Sequence, residues 1–413
     1  MTVSLYNFVI QLYYFLIKIS SLAGNKKAQR WIEGRKNLIS ELKQKINSPE
    51  KHIWMHCASL GEFEQGRPVI EKLKEKYPGK KIIVTFFSPS GYEIRKNYDK
   101  ADLVTYLPLD TKSNAIKFIE LINPEIVIFV KYEYWYHYLD ELSKKNIPVI
   151  LISAILNENH WLFKWYGKMH LKILKTISHF FVQDVNTKQL LNDSKIENVT
   201  VAGDTRFDRV WDVVLDSKKI PLVEKFINNK RCIVAGSTWI NDVDIISNYL
   251  NNNTEIKLVI APHEINQASL NYIENNFDDT TRFSKSNEET VSGFNVLIID
   301  NIGMLSSLYG YADVTYVGGG FGKGIHNILE PAAHAKPVIF GPNHKKFREA
   351  GILINSGAGF EINNADELKS TLDKLFSDEN YLKKCSVKGG DFVRSNRGAT
   401  ERIINNLNFI MYP

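Results

Sequence analysis

The amino-acid sequence predicts an α/β protein built from two doubly wound, Rossmann-like units in tandem. From about residue 50 onward, short apolar runs rich in β-branched and aromatic residues alternate with charged helical stretches. The runs are continuously apolar, as expected of parallel strands that helices cover on both faces. The pattern ends in a polar stretch at 212–230 and then starts again, which predicts a second sheet.

Twelve apolar runs are the predicted strands. They are 52–57, 81–87, 101–107, 125–130, 148–153, 179–183 and 198–203 in the first unit, and 231–236, 257–261, 295–300, 313–319 and 336–341 in the second. The predicted domains are an apolar anchor at 1–24, an N-terminal Rossmann-like domain at 25–210, a linker at 211–230 and a C-terminal Rossmann-like domain at 231–413. The last helix is a candidate for packing back on the N-terminal domain. Because ligands of such sheets bind beyond the carboxyl ends of the strands, the motifs at those ends are the candidate site.

The composition is that of a folded protein and excludes several classes. Of the 413 residues, 44% are hydrophobic and 24% are charged, which excludes a disordered tail, a collagen-like chain and a multi-span membrane protein. The three cysteines, Cys57, Cys232 and Cys385, lie far apart without a CxxC pair. We therefore expect a reducing compartment and neither a disulfide framework nor a cysteine zinc site.

The net charge of +6 is concentrated at the N-terminus, because residues 1–51 hold nine basic and three acidic residues and the remainder is neutral. A global basic field is absent, so nucleic acid is not an expected partner. Residues 6–17 are nearly all apolar or aromatic, and basic residues follow them, the reverse of a cleavable signal peptide. Since basic flanks stay on the cytoplasmic side, we expect a short span or an interfacial helix that contacts inner-membrane phospholipid, with the rest of the chain on the cytoplasmic face. The alternative is a buried core helix.

Two strand ends of the first unit carry candidate catalytic carboxylates. After the first strand, Ser59 and Gly61 make a tight passage into a helix, and Glu62 falls in its first turn. Glu62 is a candidate general base, with helix capping as the alternative and Glu64 as the local competitor. After the fourth strand comes Glu133, which is either functional or paired with a lysine at the rim.

Three segments of the second unit place small and polar residues at strand ends. The turn at 236–238 offers backbone N–H groups and hydroxyls to a phosphate. In the segment 317–342, a triple glycine lets the backbone approach a ligand closely, and a glutamate can accept hydrogen bonds from a ribose diol. The candidate binding residues are Gly236, Ser237, Thr238, Pro262, His263, Glu264, Gly318, Gly319, Gly320, Asn327 and Glu330. A glycine-rich turn with nothing bound is the alternative.

Six motifs in order along the chain resemble one enzyme family. They are ASLGE at 58–62, the Glu-x-Trp of KYEYWY at 133–135, GDTRFDRV at 203–210, AGSTW at 235–239, APHE at 261–264 and the glycine-rich segment at 318–342. Together they resemble the 3-deoxy-D-manno-octulosonic acid (Kdo) transferases of lipopolysaccharide assembly. The resemblance covers essentially the whole chain. Tyr136 stands where the family pattern leads us to expect proline, and Asp204 where we expect asparagine.

The resemblance implies a GT-B glycosyltransferase fold with an acceptor-binding N-terminal domain and a CMP-sugar-binding C-terminal domain. It further implies that the donor is CMP-Kdo, a co-substrate, and that the acceptor is the lipid A precursor (lipid IVA). Glu62 matches the proposed general base, Glu133 a second functional acid, and the second-domain motifs the CMP site.

We expect Glu62 to take the proton of the glucosamine 6-hydroxyl while CMP leaves in an inverting displacement. Arg206 is expected either to neutralise the phosphate or Kdo carboxylate or to form a surface ion pair. No clustered His/Asp ligand set stands out, so no metal or other cofactor is expected. The alternatives are a UDP-sugar-dependent GT-B enzyme acting on a lipid-linked acceptor and a membrane-associated NAD-binding oxidoreductase.

Overall fold

A computed structural model describes residues 2–46 and 50–411. The chain divides into two compact units, Met1–Arg209 together with Arg397–Pro413, and Val210–Asn396. Each unit contains one fully parallel sheet of seven strands, so the predicted fold class is confirmed.

The first unit has the strand order β3-β2-β1-β4-β5-β6-β7. Its strands are β1 (His52–Cys57), β2 (Lys81–Phe86), β3 (Leu103–Tyr106), β4 (Pro124–Val130), β5 (Val149–Ala154), β6 (His179–Val182) and β7 (Val199–Val201). Its helices are α1 (Val3–Leu22), α2 (Lys26–Glu33), α3 (Leu38–Lys45), α4 (Leu60–Lys76), α5 (Pro89–Arg95), α6 (Lys112–Ile122), α7 (Tyr136–Lys144), α8 (Lys168–Leu174), α9 (Val185–Asp193) and α10 (Arg206–Leu215), which crosses the unit boundary. The C-terminal helix α19 (Ala399–Met411) also belongs to this unit.

Side chains of the central strands alternate between two hydrophobic layers, one on each face of this sheet. Trp54 and Phe129 lie in one layer, whereas Met55 and Ile128 lie in the other. Burial on both faces explains why these strands are apolar throughout. Helix α19 adds Ile403, Ile404 and Leu407 to the second layer.

The second unit has the strand order β10-β11-β9-β8-β12-β13-β14. Its strands are β8 (Arg231–Thr238), β9 (Ile256–Pro262), β10 (Thr280–Arg282), β11 (Val296–Ile298), β12 (Val314–Val317), β13 (Val338–Phe340) and β14 (Gly359–Glu361). Its helices are α11 (Pro221–Ile227), α12 (Ile240–Leu250), α13 (Gln267–Asn276), α14 (Leu305–Leu308), α15 (Leu329–Ala333), α16 (Arg348–Ser356), α17 (Ala365–Ser377) and α18 (Glu379–Ser395). The segment expected to act as a linker thus includes part of α10 and all of α11.

All twelve predicted strands are present, with ends that differ by a few residues. The two strands that the sequence did not predict, β10 and β14, have three residues each and lie at the two edges of the second sheet. An edge strand is paired on one side only and is less buried than a central one, so it needs no long apolar run. Short polar sequences such as Thr280–Arg282 therefore leave no periodic signal.

The apolar N-terminal segment forms helix α1, which is long and apolar enough to cross a membrane by length and composition. Tyr6 and Ile10 are buried against Trp31 and Leu109, so one face of α1 packs on the first unit. Only 11% of its most apolar 18-residue window is buried, which does not fit the alternative of a core helix.

Candidate active site

Glu62 lies at the carboxyl end of β1, in the first turn of α4, and is held by a capping box. Ser59 is the N-cap of α4, and both its backbone N–H and its Oγ donate to Glu62 Oε2, at 2.7 and 2.9 Å. Glu62 Oε1 accepts no hydrogen bond from the residues that the structure describes. The side chain is half-buried. Capping and a catalytic role are therefore compatible, because one oxygen fixes the carboxylate and the other is open.

The surroundings of Glu62 favour its protonated form more than water would. Burial raises the pKa of the Glu62 carboxyl, and the Glu133 carboxylate raises it further, while the hydrogen bonds from Ser59 and the charge of His56 act in the opposite direction. A carboxylate whose pKa is raised is a stronger base than an ordinary glutamate. Beside it, Gly61 is exposed, and a Cβ placed there would meet only Ser59 Oγ, at 4.0 Å. The approach to Glu62 is open on that side.

The local competitor, Glu64, is surrounded by arginines. Its carboxylate lies 2.7 Å from Arg95, 4.0 Å from Arg67 and 3.9 Å from Arg209. Its oxygens are therefore engaged in ion pairs rather than open to a substrate. The geometry therefore favours Glu62 over Glu64 as the candidate general base.

Glu133 is buried at the carboxyl end of β4, where two donors hold it. His56 Nε2 lies 3.0 Å and Trp135 Nε1 lies 2.5 Å from Glu133 Oε2. The other ring nitrogen of His56 lies 2.8 Å from Thr85 Oγ1. Glu133 is thus part of a buried network that crosses from β4 through β1 to β2, and the cost of burying its charge is offset by these donors.

The sequence interpretation missed His56 and Thr85. Both are polar residues at fully buried positions of otherwise apolar strands. That pattern was visible in the sequence, but which polar residue each one meets depends on the pairing of β1 with β2 and β4.

Asp110 connects α1 to the helix that follows Glu133. The carboxylate is buried and accepts from the backbone N–H groups of His137 and Tyr138, both at 3.2 Å, in the first turn of α7. It also accepts a hydrogen bond from the hydroxyl of Tyr6 in α1. Burial raises the pKa of Asp110 to about 6. The docked N-terminal helix and the start of α7 are therefore joined by one side chain.

Arg206 is engaged in an ion pair with Asp204, the residue that departs from the family pattern. Its Nε and Nη2 lie 2.8 and 2.7 Å from Asp204 Oδ2. Asp204 is buried, and Gln65 Nε2 donates to its other oxygen at 3.3 Å. Arg206 thus forms an ion pair, but with a buried carboxylate rather than at the surface, and part of its charge is already compensated.

In the second unit, the residues predicted as a turn at 236–238 form the end of β8, and one polar group there has no partner. Gly236 is required by packing, because a Cβ there would lie 2.1 Å from Tyr309 Oη. Ser237 has a φ of 53°, in the left-handed region that non-glycine residues rarely adopt. The Oγ1 of Thr238 is buried and finds no hydrogen-bond partner among residues 2–46 and 50–411. A buried hydroxyl without a partner is costly, and a ligand oxygen would satisfy it.

The glycine run is organised by Asp242, which the sequence interpretation missed. Asp242 is buried in the first turn of α12 and accepts from Trp239 N at 2.8 Å, Gly319 N at 2.9 Å and Tyr316 Oη at 2.7 Å. Gly318 N donates to the carbonyl of Gly236 at 2.9 Å. These two glycine amides are bonded within the protein, and the close approach of a ligand to Gly318 and Gly319 remains a prediction.

The third glycine of the run serves close packing. A Cβ on Gly320 would lie 2.6 Å from the backbone of Gly341, at the end of β13. Two main chains approach each other there, and only glycine fits.

An aromatic stack borders a cavity at the carboxyl end of this sheet. His263 stacks on Trp239 with ring centroids 4.7 Å apart and on His326 at 4.2 Å, and Trp239 Nε1 donates to His326 Nε2 at 3.1 Å. Burial, together with the charge of His263, lowers the pKa of His326 to about 4. The cavity has a volume of about 520 Å³ and is also lined by Phe321. Planar rings around such a space suit a planar ligand group.

The remaining candidate residues of this unit lie around the same strand ends. Pro262 is buried at the end of β9, and Glu264 is exposed and accepts from Asn266 at 3.3 Å. Asn327 Nδ2 donates to Glu330 Oε1 at 2.9 Å, and Ser306 Oγ donates to the other oxygen of Glu330. Asn327 and Glu330 are thus brought together, while Glu264 stands apart from this pair.

Among the described residues, no group of three or more His, Cys, Asp or Glu side chains is placed to hold a metal ion. The expectation that the reaction needs no metal remains a prediction.

Comparisons with known proteins agree in sequence and in fold. Residues 30–209 match the family model of 3-deoxy-D-manno-octulosonic-acid transferase (kdotransferase). The chain is 29% identical over 352 residues to the 3-deoxy-D-manno-octulosonic acid transferase of Aquifex aeolicus, covering 83% of this chain and 90% of that protein. It is 26% identical over 378 residues to a bifunctional glycosyltransferase/methyltransferase of Fusobacterium nucleatum, covering 88% of this chain but only 58% of that longer protein.

Among solved structures, the UDP-GlcNAc 2-epimerase of Neisseria meningitidis superimposes with a TM-score of 0.61 at 16% identity, covering 87% of this chain and 99% of that one. At this identity the likeness concerns the fold alone, and it agrees with a GT-B-like pair of α/β domains. The sequence matches extend over most of the chain and include the unit that carries Glu62 and Glu133. The family model over residues 30–209 and the relatives at 24–29% identity over most of the chain therefore support the Kdo transferase family of lipopolysaccharide biosynthesis.

Proposed function

We propose that this chain transfers Kdo from CMP-Kdo to the glucosamine 6-hydroxyl of the lipid A precursor, with release of CMP. The observation that carries the proposal is the Glu62 carboxylate, which Ser59 fixes through Oε2 and which is open at Oε1. A transferase to a hydroxyl needs such a base, and the relatives of this chain are named as transferases of the same sugar.

In the proposed reaction, Glu62 Oε1 takes the proton of the acceptor hydroxyl as its oxygen forms a bond to Kdo C2. The bond from C2 to the phosphate oxygen breaks on the opposite face, and CMP leaves with the electron pair. The configuration at C2 is therefore inverted. Glu133, fixed by His56 and Trp135, keeps a negative charge near Glu62 and so helps it to hold the proton.

The donor is proposed to bind at the strand ends of the second unit. The stack of Trp239, His263 and His326 offers planar surfaces to the cytosine ring. The unpartnered hydroxyl of Thr238, with the main chain at Ser237, would receive the phosphate. Asn327 and Glu330 would receive the ribose hydroxyls.

Three further elements complete the proposal. Arg206 would neutralise the phosphate or the Kdo carboxylate, because its ion pair with Asp204 compensates its positive charge only in part. The domain at 25–210 would bind the acceptor and the domain at 231–413 the CMP-sugar. Helix α1 would hold the enzyme on phospholipid at the cytoplasmic face of the inner membrane, where its acceptor is made available.

The test is to incubate the purified enzyme and the lipid A precursor with CMP-Kdo, a UDP-sugar or NAD, in the presence of a chelator, and to measure the lipid mass. We expect a mass increase of one or more Kdo groups with CMP-Kdo alone. A product formed from the UDP-sugar would favour the alternative GT-B transferase, and reduced nicotinamide would favour the oxidoreductase. Loss of transfer in chelator would contradict the metal-free mechanism.

A further inference from the structure

Arg35, between α2 and α3, is surrounded by aromatic rings and has no carboxylate partner. Its guanidinium carbon lies 3.9 Å from the ring centroid of Trp31, 4.7 Å from that of Tyr106 and 5.0 Å from that of Phe87. Burial lowers the pKa of Arg35, and the described groups that oppose this effect are three tyrosine hydroxyls and no carboxylate. Because buried charges in proteins are normally paired, this guanidinium lacks an anion.

Three main-chain carbonyls hold the Arg35 guanidinium in place. Its Nε donates to Leu107 O at 2.9 Å, Nη1 to Trp31 O at 3.1 Å and Nη2 to Phe87 O at 2.7 Å. Neutral carbonyls orient the group, but they do not cancel its charge as a carboxylate would. A guanidinium has five N–H groups, so two of them remain for a ligand.

Arg35 lines a cavity of about 400 Å³ between α1, the α2–α3 segment and the chain that follows β3. A second basic side chain, the exposed Lys36, and the polar Gln11 and Asn114 also line it, and its described lining contains no acidic residue. The indole N–H of Trp31, which is 4% exposed and lines the same cavity, has no hydrogen-bond partner in the described part of the chain. Two cations and an unused donor around one space suit an anion with several acceptor oxygens, such as a phosphate.

The rest of the cavity lining is largely apolar. It includes Tyr14, Ile32, Leu38, Ile39 and Leu109. Free phosphate would use only the charges of this cavity, whereas a phosphate attached to a molecule with apolar groups would use both kinds of surface. The cavity therefore fits the phosphate ester of an amphiphilic molecule better than it fits free phosphate.

The cavity is connected to the candidate catalytic carboxylates of the same unit. The ring of Phe87, whose carbonyl accepts from Arg35, lies 4.7 Å from the ring of Trp135. The indole N–H of Trp135 in turn donates to Glu133. Phe87 directly follows β2, and β2 lies next to β1, which leads to Glu62. Because neighbouring strands are about 4.8 Å apart, the ends of β1 and β2 are separated by about the width of one sugar ring.

We propose that this cavity is the subsite for a phosphate of the acceptor glycolipid. Arg35 and Lys36 bind the phosphate, and the apolar lining contacts the lipid part of the same molecule. The bound phosphate holds the acceptor sugar so that its hydroxyl reaches Glu62. The inference rests on the proposed function for the identity of the acceptor, and it extends that function by naming the group that the first unit recognises.

The test changes the charge of the cavity without removing Arg35, because loss of Arg35 would also leave three main-chain carbonyls without their donor. Gln11→Glu places a carboxylate on the cavity wall, and Lys36→Gln removes the second cation. Gln44→Glu and Lys43→Gln make the same charge changes at exposed positions of α3 outside the cavity and are the matched controls. Isothermal titration of each full-length protein with the phosphorylated lipid A precursor, in neutral detergent and without CMP-Kdo, measures the affinity.

We expect Gln11→Glu and Lys36→Gln each to bind the phosphorylated acceptor about tenfold more weakly than the wild type, and both controls to bind it normally. When the phosphates have been removed from the acceptor, the wild type and the two cavity variants should bind it equally weakly. Losses that persist without the phosphates, or that the controls share, would overturn the proposal. Wild-type affinity in both cavity variants would overturn it as well.

Two further arms separate this subsite from a general lipid site and from the transfer reaction. Phosphatidylglycerol added to the micelles at the concentration of the acceptor should not displace it, and equal competition would overturn the assignment to the acceptor. Kdo transfer is measured in parallel. Phosphate-dependent binding without transfer would refute the proposed function and leave the subsite standing. Transfer that is insensitive to both cavity variants and to removal of the phosphates would refute the subsite alone.

Discussion

The two candidate sites lie at equivalent ends of two similar sheets but differ in what their polar groups already do. In the first unit, Ser59 and His56 hold two carboxylates in place without any ligand. In the second unit, Asp242 holds the loop backbone together, and the groups that it leaves unused are an aromatic stack and the buried, unpartnered Thr238 hydroxyl. In the function proposed above, the first site keeps a reacting group in position, whereas the second receives the donor. Chemistry and binding would then be separated between the two units.

The largest expected effect tests the first half of this comparison. Glu62→Gln removes the proton acceptor but keeps a side chain that can complete the capping box. We expect turnover to fall by about 10²–10⁴-fold while the dissociation constant for CMP and the melting temperature stay near their wild-type values. The control is Glu64→Gln, which should keep most of the turnover because Glu64 is bound by arginines. Similar losses in both variants would mean that this helix end, and not one carboxylate, supports the reaction.

The next prediction tests the second half. Trp239→Ala removes one face of the stack, and we expect CMP to bind more weakly by about 1–3 kcal/mol, the range for stacking of a base on an aromatic ring. Turnover at saturating donor should change little, because the residue contacts no reacting group. Isothermal titration with CMP and steady-state kinetics measure the two quantities. If the CMP affinity is unchanged, the cytosine ring does not bind in this cavity.

The sequence predicted those features of the two sites that depend on residues close together along the chain, and it missed those that depend on residues far apart. Strands buried on both faces require apolar runs, so the central strands and the chain topology were predictable. The capping of the helix by Ser59 and Glu62 could also be predicted from the sequence, because the two residues are only three positions apart. Asp242 was not, since its contact with Gly319 joins residues 77 positions apart, and no local pattern distinguishes it from an ordinary first-turn acid. The triple glycine was identified for ligand approach, but close contact between main chains explains it as well.

A third prediction concerns the pH dependence that follows from the two neighbouring carboxylates. A base acts in its ionised form, so turnover is lost as the pH falls through the raised pKa of Glu62. Glu133→Gln removes a charge that raises this pKa, so the acid limb of the kcat profile should move to lower pH. His56→Asn removes a group whose charge lowers it, so the limb should move to higher pH. Shifts in the same direction, or none, would contradict the assigned coupling, whatever the change in maximal turnover.

The smallest expected effect concerns Asp204, where this chain departs from its family's pattern. Asp204→Asn removes the charge that pairs with Arg206 and leaves an amide of the same shape to accept from Gln65. If Arg206 serves the donor, its charge becomes more available, and CMP-Kdo should bind more tightly by less than about tenfold, since the pair is partly exposed. The double variant Asp204→Asn/Arg206→Ala is the control, because a gain that acts through Arg206 must vanish in it. A gain that persists in the double variant would assign the effect to the fold around Gln65. No gain in the single variant would mean that Arg206 does not serve the donor, and the binding of the donor anion would then belong to the second unit.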